Sequence, residues 1–332
     1  MALPTPYLHH YPMSPFAEKA RLMLGHKRLT WKSVLIPSIM PKPDVVALTG
    51  GYRKTPLLQV GNDVFCDTAL IADVLEHIAP QPSFYPHGQR GLNRVVAHWA
   101  DQTLFWAAMA HNFQPKGMAQ LFEGAPPEAV KAFGADRGAM STGMARIRPA
   151  DGTSAYKSYL RRLSDMLHEA AGPGADPAGA PAYLLGQGAP SLADFAAYHS
   201  VAFTVDQVPA LVGILDERPA VRDWAQRMKA IGHGDMLKSN SIEAIADSAS
   251  ASSAGARFDH EIFGASEPFQ DDHGLPLGSR VTVAAESFGP EATEGTLLAA
   301  TRTRYTLERH DERAGTVRVH FPRVGYVLKA AA

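Results

Sequence analysis

The segment 54–76, KTPLLQVGNDVFCDTALIADVLE, restricts the fold of this chain more than any other. The mostly apolar residues 57–60 predict a buried strand, and Gly-Asn-Asp at 61–63 favours the tight turn of a hairpin. Residues 64–66 return as the second strand. From Asp67 onward, apolar side chains recur at helical spacing, so a helix begins there. The segment therefore predicts strand, turn, strand and helix in direct succession.

Two features of this segment place polar groups beside unpaired backbone. Pro56 stands at the head of the first strand, where its missing N–H takes nothing from the sheet. Asp67 and Thr68 stand at the start of the helix, where a carboxylate and a hydroxyl lie next to free backbone N–H groups. Such a helix start is either an ordinary N-cap or a small polar ligand site, and the two roles are compatible.

The residues before this segment add a strand–helix–strand pattern. A short strand is predicted at 6–10, and Ser14 followed by Pro15 is a favourable helix start. A second strand is predicted at 31–36, and the proline-rich stretch 37–49 is expected to be a loop with room for one helical turn. The order β-α-β, loop, β-β-α is typical of a thioredoxin-like domain.

Composition limits the class of protein. A length of 332 residues allows two or three domains with sizeable cores. A net charge of -1 gives no basic field, so we expect no nucleic-acid partner. Cys66 is the single cysteine, which excludes a disulfide framework, and no Cys/His spacing favours a metal. No signal peptide and no apolar run of about twenty residues is present, which predicts a cytoplasmic protein without membrane contact.

The pattern becomes helical from residue 81. The segment 91–109 carries apolar and aromatic side chains along its length and predicts a long helix. Ser191-Leu192-Ala193-Asp194 is an S-x-x-D capping box that opens an apolar helix. Because Ser191 and Asp194 are expected to cap each other's backbone donors, their role is structural.

The last quarter of the chain has a different pattern. The Ser- and Ala-rich stretch 247–257 predicts a linker or a loose segment. Beyond it, five short segments alternate apolar and polar residues: 280–283, 295–300, 304–308, 316–321 and 325–329. Short strands so closely spaced favour a small antiparallel barrel of the SH3-like type. This barrel either packs on the rest of the chain or binds a partner.

The segment 54–76 and the capping box, taken in this order, resemble the glutathione S-transferase family. The resemblance covers residues 1–240 and implies a thioredoxin-like α/β domain followed by an all-α domain. With the barrel added, the expected fold class is α/β plus all-α plus a small SH3-like β-barrel. The implied domains are 1–80 (thioredoxin-like), 81–246 (helical), a linker at 247–257, and 258–332 (barrel).

The resemblance also implies a site for glutathione as co-substrate. In the family, the X-Pro bond at the head of this strand is cis, and the backbone there binds the cysteinyl part; Thr55 and Pro56 occupy these positions. The pair that opens the next helix holds the γ-glutamyl end, which assigns that role to Asp67 and Thr68. Lys54 matches a family lysine that reaches the glycyl carboxylate; the alternative is a solvated surface lysine.

Two residues are candidates for activating the glutathione thiol. Ser14 belongs to a Ser-Pro-Phe helix start that is similar to the serine-type transferases, whereas Tyr11 resembles by position the tyrosine of the tyrosine-type classes. Lowering the thiol pKa from about 8.5 by about two units requires about 3 kcal/mol. A helix N-terminus, about 0.3–2 kcal/mol, and a hydroxyl hydrogen bond, about 1.5–3 kcal/mol, together suffice. Ser14 is the first choice.

The implied function is that of a glutathione transferase whose activated thiolate attacks a small hydrophobic electrophile. In relatives the helix that corresponds to 91–109 lines the electrophile pocket and the dimer contact, so we expect a homodimer. The alternative is a non-catalytic transferase-like scaffold or binding protein whose C-terminal barrel carries the interaction.

Overall fold

The structure, a computed structural model, describes residues 3–174, 179–264, 268–270 and 272–331. Its strands are β1 (Tyr7–His10), β2 (Thr30–Leu35), β3 (Leu57–Val60), β4 (Asp63–Cys66), β5 (Ala182–Tyr183), β6 (Gly186–Gln187), β7 (Asp235–Ser239), β8 (Arg280–Ala285), β9 (Thr293–Ala300), β10 (Arg304–Asp311), β11 (Gly315–Pro322) and β12 (Tyr326–Ala330). Its α-helices are α1 (Pro15–His26), α2 (Pro43–Thr49), α3 (Thr68–Ile78), α4 (Arg90–Trp99), α5 (Phe105–Asn112), α6 (Pro115–Leu121), α7 (Pro127–Met140), α8 (Pro149–Ala171), α9 (Leu192–Ala202), α10 (Pro219–Lys229), α11 (Ser241–Ser253) and α12 (Phe258–Phe263). A π-helical turn, Ala100–Leu104, joins α4 to α5.

The thioredoxin-like arrangement predicted for the N-terminal region is confirmed. Strand β1 pairs in parallel with β2 and antiparallel with β3, and β3 and β4 form the predicted hairpin. Because Leu57 lies opposite Cys66 in the hairpin, the residues just outside it, Pro56 and Asp67, come together at its open end. Within the stretch 37–49, expected to be a loop with room for one helical turn, residues 43–49 form helix α2.

Alternating residues of the central strands pack into two cores, one on each face of the sheet. Leu8, Leu58 and Phe65 lie in the core that also contains side chains of α1, α3 and the helical domain. Tyr7 and Val64 point to the opposite face, where the core includes α2, α11 and the C-terminal strands. The sheet is therefore covered on both faces.

The five predicted C-terminal strands are present, but the predicted SH3-like barrel is not formed. All of them belong to one ten-stranded sheet with the order β12-β8-β9-β10-β11-β4-β3-β1-β2-β7. Strands β8 to β12 pair antiparallel, and β11 then pairs in parallel with β4. Across the described strands, β11 and β12 do not pair, so nothing closes a barrel. The physical reason is that β4 offers a free edge, and β11 satisfies its backbone groups.

The segment 247–257, expected as a linker, is helical through Ser253 as part of α11. The helix packs against β11 and α2 and buries Ala244, Ile245 and Ser248. The Ser248 hydroxyl donates to the Ala314 carbonyl at 2.9 Å, which ties the helix to the turn before β11. The Ser- and Ala-rich stretch predicts a loose segment because small side chains carry little apolar surface, yet here they permit close packing. The division into domains stays a prediction.

A buried charge network lies at the junction between β4 and β11. Asp63 is fully buried, and the Arg318 guanidinium donates to both of its carboxylate oxygens at 2.8 Å. His320 Nε2 lies 2.9 Å from Asp63 Oδ1. Burial alone would raise the pKa of Asp63, but the hydrogen bonds from His320 and Arg318 hold that pKa below its ordinary value. The network fixes the register of β11 on β4.

The predicted capping box is confirmed at the start of α9. Asp194 Oδ2 accepts from the Ser191 N–H at 2.8 Å, and Asp194 Oδ1 accepts from the Leu184 N–H at 2.8 Å and from the Trp224 indole at 2.9 Å. The box thus joins α9 to α10. None of the helices in the described part of the chain has the length and apolar character needed to cross a bilayer.

Candidate functional site

The start of α3 brings Asp67 to the open end of the β3–β4 hairpin. Asp67 is the N-cap of the helix: its Oδ1 accepts from the Ala69 N–H at 2.9 Å. Its φ of 74° lies in the left-handed region, where residues other than glycine are uncommon. The side chain is 27% exposed, so the cap also faces solvent. The Thr55–Pro56 peptide beside it is cis, as the family resemblance implied.

Lys54 and Thr68 lie at the same helix start. The Lys54 ammonium is 3.8 Å from Asp67 Oδ2, and Thr68 is buried as the first residue of α3. The resemblance assigned Lys54 to a glycyl carboxylate, but its position beside Asp67 puts it at the end expected for the γ-glutamyl group. The four predicted residues 54, 55, 67 and 68 are therefore brought together with Pro56.

Tyr326, on the C-terminal strand β12, is a further residue of this cluster. Its hydroxyl donates to Asp67 Oδ2 at 3.0 Å and lies 3.0 Å from the Tyr52 hydroxyl. The Lys54 ammonium lies over the Tyr326 ring, 4.7 Å from the ring centroid. Burial and the nearby Asp67 raise the pKa of Tyr326 well above its ordinary value, so the hydroxyl stays protonated and can donate.

Ser14 and Tyr11, the two candidates for thiol activation, share one turn at the head of α1. The Ser14 N–H donates to the Tyr11 carbonyl at 3.1 Å. Ser14 is buried, and its Oγ accepts from the Ala17 N–H at 3.2 Å, which confirms it as the N-cap. Tyr11 is partly buried, and its hydroxyl accepts from the Arg137 guanidinium of α7 at 3.2 Å. Both hydroxyls keep a proton that they can donate.

Lys42, which no sequence pattern indicated, is a buried cation next to Thr55. Its ammonium donates to Thr55 Oγ1 at 3.3 Å and to the Arg53 carbonyl at 3.2 Å. The residue is 4% exposed. Burial lowers the pKa of Lys42 to about 8, and the Arg137 charge adds to the shift. Among the described residues, no carboxylate lies within ion-pair distance of it.

Helix α7 and the β8–β9 loop border this cluster. Arg53 forms ion pairs with Asp136 of α7 and Glu291 of the loop. The Gly289 N–H of the loop donates to the Met140 carbonyl at 2.8 Å. A Cβ at Gly289, whose φ is +67°, would lie 3.0 Å from the Lys54 side chain, so only glycine fits this approach without strain. These contacts join the N-terminal, helical and C-terminal parts of the chain at one place.

Aromatic side chains lie on the helical-domain side. Trp106 of α5 packs edge-on against Phe288 of the β8–β9 loop at 5.1 Å between ring centroids, and against Phe105 at 5.0 Å. Phe105 in turn lies 4.7 Å from Phe16 of α1. Phe16, Trp106 and Phe288 are each partly exposed. The group extends from the head of α1, next to the two candidate hydroxyls.

Two surface cavities, of about 350 and 460 Å³, lie elsewhere, along α8 and the segment before α10. Neither is lined by a residue of the predicted site. Among the described residues, no group of three His, Cys, Asp or Glu side chains is placed to hold a metal ion.

Known proteins resemble this chain in sequence and in architecture. The family model described as the glutathione S-transferase N-terminal domain matches residues 8–83. A GST-like protein from Pseudomonas syringae, of known crystal structure, is 37% identical, and the match covers 100% of both chains with a TM-score of 0.68. No curated protein matches this chain.

Two more distant solved structures are also similar. A glutathione S-transferase from Rhodospirillum rubrum F11 is 18% identical over 68% of this chain and 88% of its own, with a TM-score of 0.47. The beta-etherase LigF from Sphingobium sp. strain SYK-6 is 18% identical over 68% of this chain and 96% of its own, with a TM-score of 0.49.

The Pseudomonas syringae protein matches over the whole length, so the C-terminal strands are part of the shared architecture. Its identity and coverage agree with the N-terminal family match and with the thioredoxin-like sheet and helical domain described above. This chain belongs to the glutathione S-transferase family.

Proposed function

We propose that this protein binds glutathione and activates its thiol for attack on a small hydrophobic electrophile. The observation that carries the proposal is a charge pattern along Thr55. Lys42 is a buried cation with no carboxylate at ion-pair distance among the described residues, and Asp67 is a partly exposed carboxylate at the other side of Thr55 and Pro56. Glutathione has a carboxylate at its glycyl end and an ammonium at its γ-glutamyl end, which complements this pattern.

Each end of the tripeptide has defined partners in this proposal. Lys42 pairs with the glycyl carboxylate, because a buried ammonium gains most from a direct anionic partner. Asp67 accepts from the γ-glutamyl ammonium, and Lys54 and Thr68 at the helix start receive the γ-glutamyl carboxylate. The Thr55 backbone faces the cysteinyl part.

The thiol then lies at the N-terminus of α1. Ser14 is proposed as the donor to the sulfur, because its hydroxyl proton is not used by the capping bond that its oxygen accepts. Tyr11 is the alternative donor, and its contact with Arg137 favours an anion at the same place. Deprotonation leaves a thiolate stabilised by the helix N-terminus and one hydroxyl. The electrophile is proposed to lie against Phe16, Trp106 and Phe288.

A homodimer is also proposed. Helix α4 exposes two large apolar side chains, Leu92 at 48% and Val95 at 68%. Apolar side chains on the exposed face of a helix are a common component of subunit contacts.

A second candidate function is a non-catalytic binding protein that keeps the transferase fold. The observation that favours it is that two predicted ligand groups already have protein partners: Asp67 accepts from Tyr326, and Tyr11 accepts from Arg137. A site satisfied in this way has less to gain from a ligand. Capture on immobilised glutathione, with elution by free glutathione, separates the two functions.

Asp67→Ala tests the ligand role of the helix start. We expect at least a tenfold loss of glutathione affinity by calorimetric titration, because a charge-assisted hydrogen bond contributes about 1.5–3 kcal/mol. The thermal midpoint should fall by only a few degrees, because the lost N-cap contributes about 1 kcal/mol. Asp151→Ala, in an exposed pair with Arg148 at the start of α8, is the matched control and should bind as wild type does. A variant that melts much earlier yet binds normally would show that Asp67 is only a cap.

A further inference from the structure

The C-terminal strands deliver one side chain directly to the predicted γ-glutamyl end of the site. Tyr326 is 6% exposed, and its hydroxyl donates to Asp67 Oδ2 at 3.0 Å. Because that proton is used, the Tyr326 oxygen accepts from the Tyr52 hydroxyl, 3.0 Å away. The result is a directed chain of hydrogen bonds from Tyr52 through Tyr326 to the Asp67 carboxylate.

The position of Tyr326 is fixed from two sides. Tyr326 lies opposite Ala285 at the start of the β12–β8 pairing. On the other side, β11 pairs with β4 up to Phe65, two residues before Asp67. The β9 residue Thr293 also donates its hydroxyl to the Thr49 carbonyl at 2.9 Å. Tyr326 is therefore held by the sheet itself and not by a free tail.

Asp67 has two oxygens that must be oriented before either can receive a ligand. Its Oδ1 accepts from the Ala69 N–H at 2.9 Å, and its Oδ2 accepts from Tyr326. An ionised carboxylate has about four acceptor positions, so about two stay open after these bonds are made. With the side chain 27% exposed, the open positions are accessible to an ammonium group. Fixing the carboxylate in advance removes part of the entropy cost of binding.

We propose that Tyr326 is a positioning residue of the glutathione site, so that the C-terminal strands complete the γ-glutamyl subsite by orienting Asp67 toward the ligand's ammonium group. This inference rests on the proposed function. It gives the C-terminal strands a role in ligand recognition within the same chain. It also predicts that the effect of Tyr326 depends on one chemical group of the ligand, which a purely structural role would not.

The test compares two ligands by calorimetric titration: glutathione, and glutaryl-cysteinyl-glycine, which is the same tripeptide without the γ-glutamyl amine. Tyr326→Phe keeps the ring but removes the hydroxyl. We expect about tenfold weaker binding of glutathione, equivalent to about 1.4 kcal/mol, and a change of less than about twofold for the amine-free ligand. Tyr305→Phe, on β10, is the control, since its ring lies against His273 and Arg323 instead.

A double-variant cycle checks that Tyr326 acts through Asp67. Tyr326→Phe should weaken glutathione binding in the wild-type background but cause no further loss in Asp67→Asn. Tyr52→Phe, which removes only the donor to Tyr326, is the second variant and should give a smaller loss in the same direction. It keeps the test valid if Tyr326→Phe folds poorly by circular dichroism.

Each outcome decides a different point. If wild type does not bind glutathione, the proposed function fails and this inference fails with it. If wild type binds and Tyr326→Phe binds equally well, the inference alone is overturned. Equal losses for both ligands, or additive losses with Asp67→Asn, also overturn it, because Tyr326 would then act on the fold and not on the subsite.

Discussion

Replacing Arg318 by methionine tests whether the C-terminal strands and the thioredoxin-like sheet form one structure. The Arg318 and Asp63 side chains are 4% and 0% exposed, and the guanidinium donates to both Asp63 oxygens at 2.8 Å. It also donates to Asn62 Oδ1 at 3.1 Å and to the Ala256 carbonyl. Methionine replaces the aliphatic part of the arginine side chain with an unbranched one but removes every donor. The change therefore leaves a buried carboxylate without its main cation.

Breaking a buried ion pair by removing one partner costs about 3–5 kcal/mol, against a total stability of about 5–15 kcal/mol for a typical domain. Arg318→Met should thus lose a large fraction of the free energy of unfolding. Arg280→Met is the matched control. Arg280 pairs with Glu294 on strands β8 and β9 of the same sheet, where both side chains are more than half exposed, at 59% and 55%. Such a pair contributes about 0–1 kcal/mol.

Urea denaturation followed by far-ultraviolet circular dichroism measures both variants. The pH dependence provides an independent check, because the folded-state pKa of Asp63 is lowered. The stabilisation from a lowered carboxylate pKa is present above the unfolded pKa, about 4, and is lost as the pH falls below it. Arg318→Met should reduce this acid sensitivity. A loss for Arg318→Met no larger than for Arg280→Met would refute the conclusion that this pair holds β11 on β4.

Three further predictions concern the ligand site and assembly. The pKa of Lys42 is lowered to about 8, and a bound carboxylate would raise it, so binding takes up a proton at alkaline pH. The affinity for S-methylglutathione should therefore fall as the pH rises above about 8. Lys42→Arg should flatten this pH profile, and an unchanged profile would contradict the pairing. Ser14→Ala should slow conjugation at neutral pH by about one to two decades, with partial recovery in alkaline buffer, and Tyr11→Phe should do little; the reverse result, from pH–rate profiles, would identify Tyr11 as the donor. Sedimentation should give a dimer that Val95→Glu dissociates; a wild-type monomer at micromolar concentration would exclude it.

Short-range patterns predicted the elements of this fold, but not which elements pair. The hairpin and helix of 54–76 and the cap at Ser14 depend on residues a few positions apart, and all are present. Alternation likewise predicted β8 to β12. However, alternation specifies that a strand has one buried face and not which strand lies beside it. A closed barrel and an extension of a distant sheet have the same pattern, and the buried Arg318–Asp63 contact decides between them.

The candidate site divides in the same way. Thr55, Pro56, Asp67 and Thr68 lie in one continuous segment, so a local motif was sufficient to place them together. Tyr326 lies 259 positions beyond Asp67 in the sequence, and long-range strand pairing, including that of β11 with β4, brings it there. A tyrosine in an alternating strand has no local signal that separates a core residue from one facing a ligand site. The ligand groups proposed within this segment are therefore predictable from the motif, whereas Lys42 and the tyrosine proposed to orient Asp67 depend on contacts that no local pattern encodes.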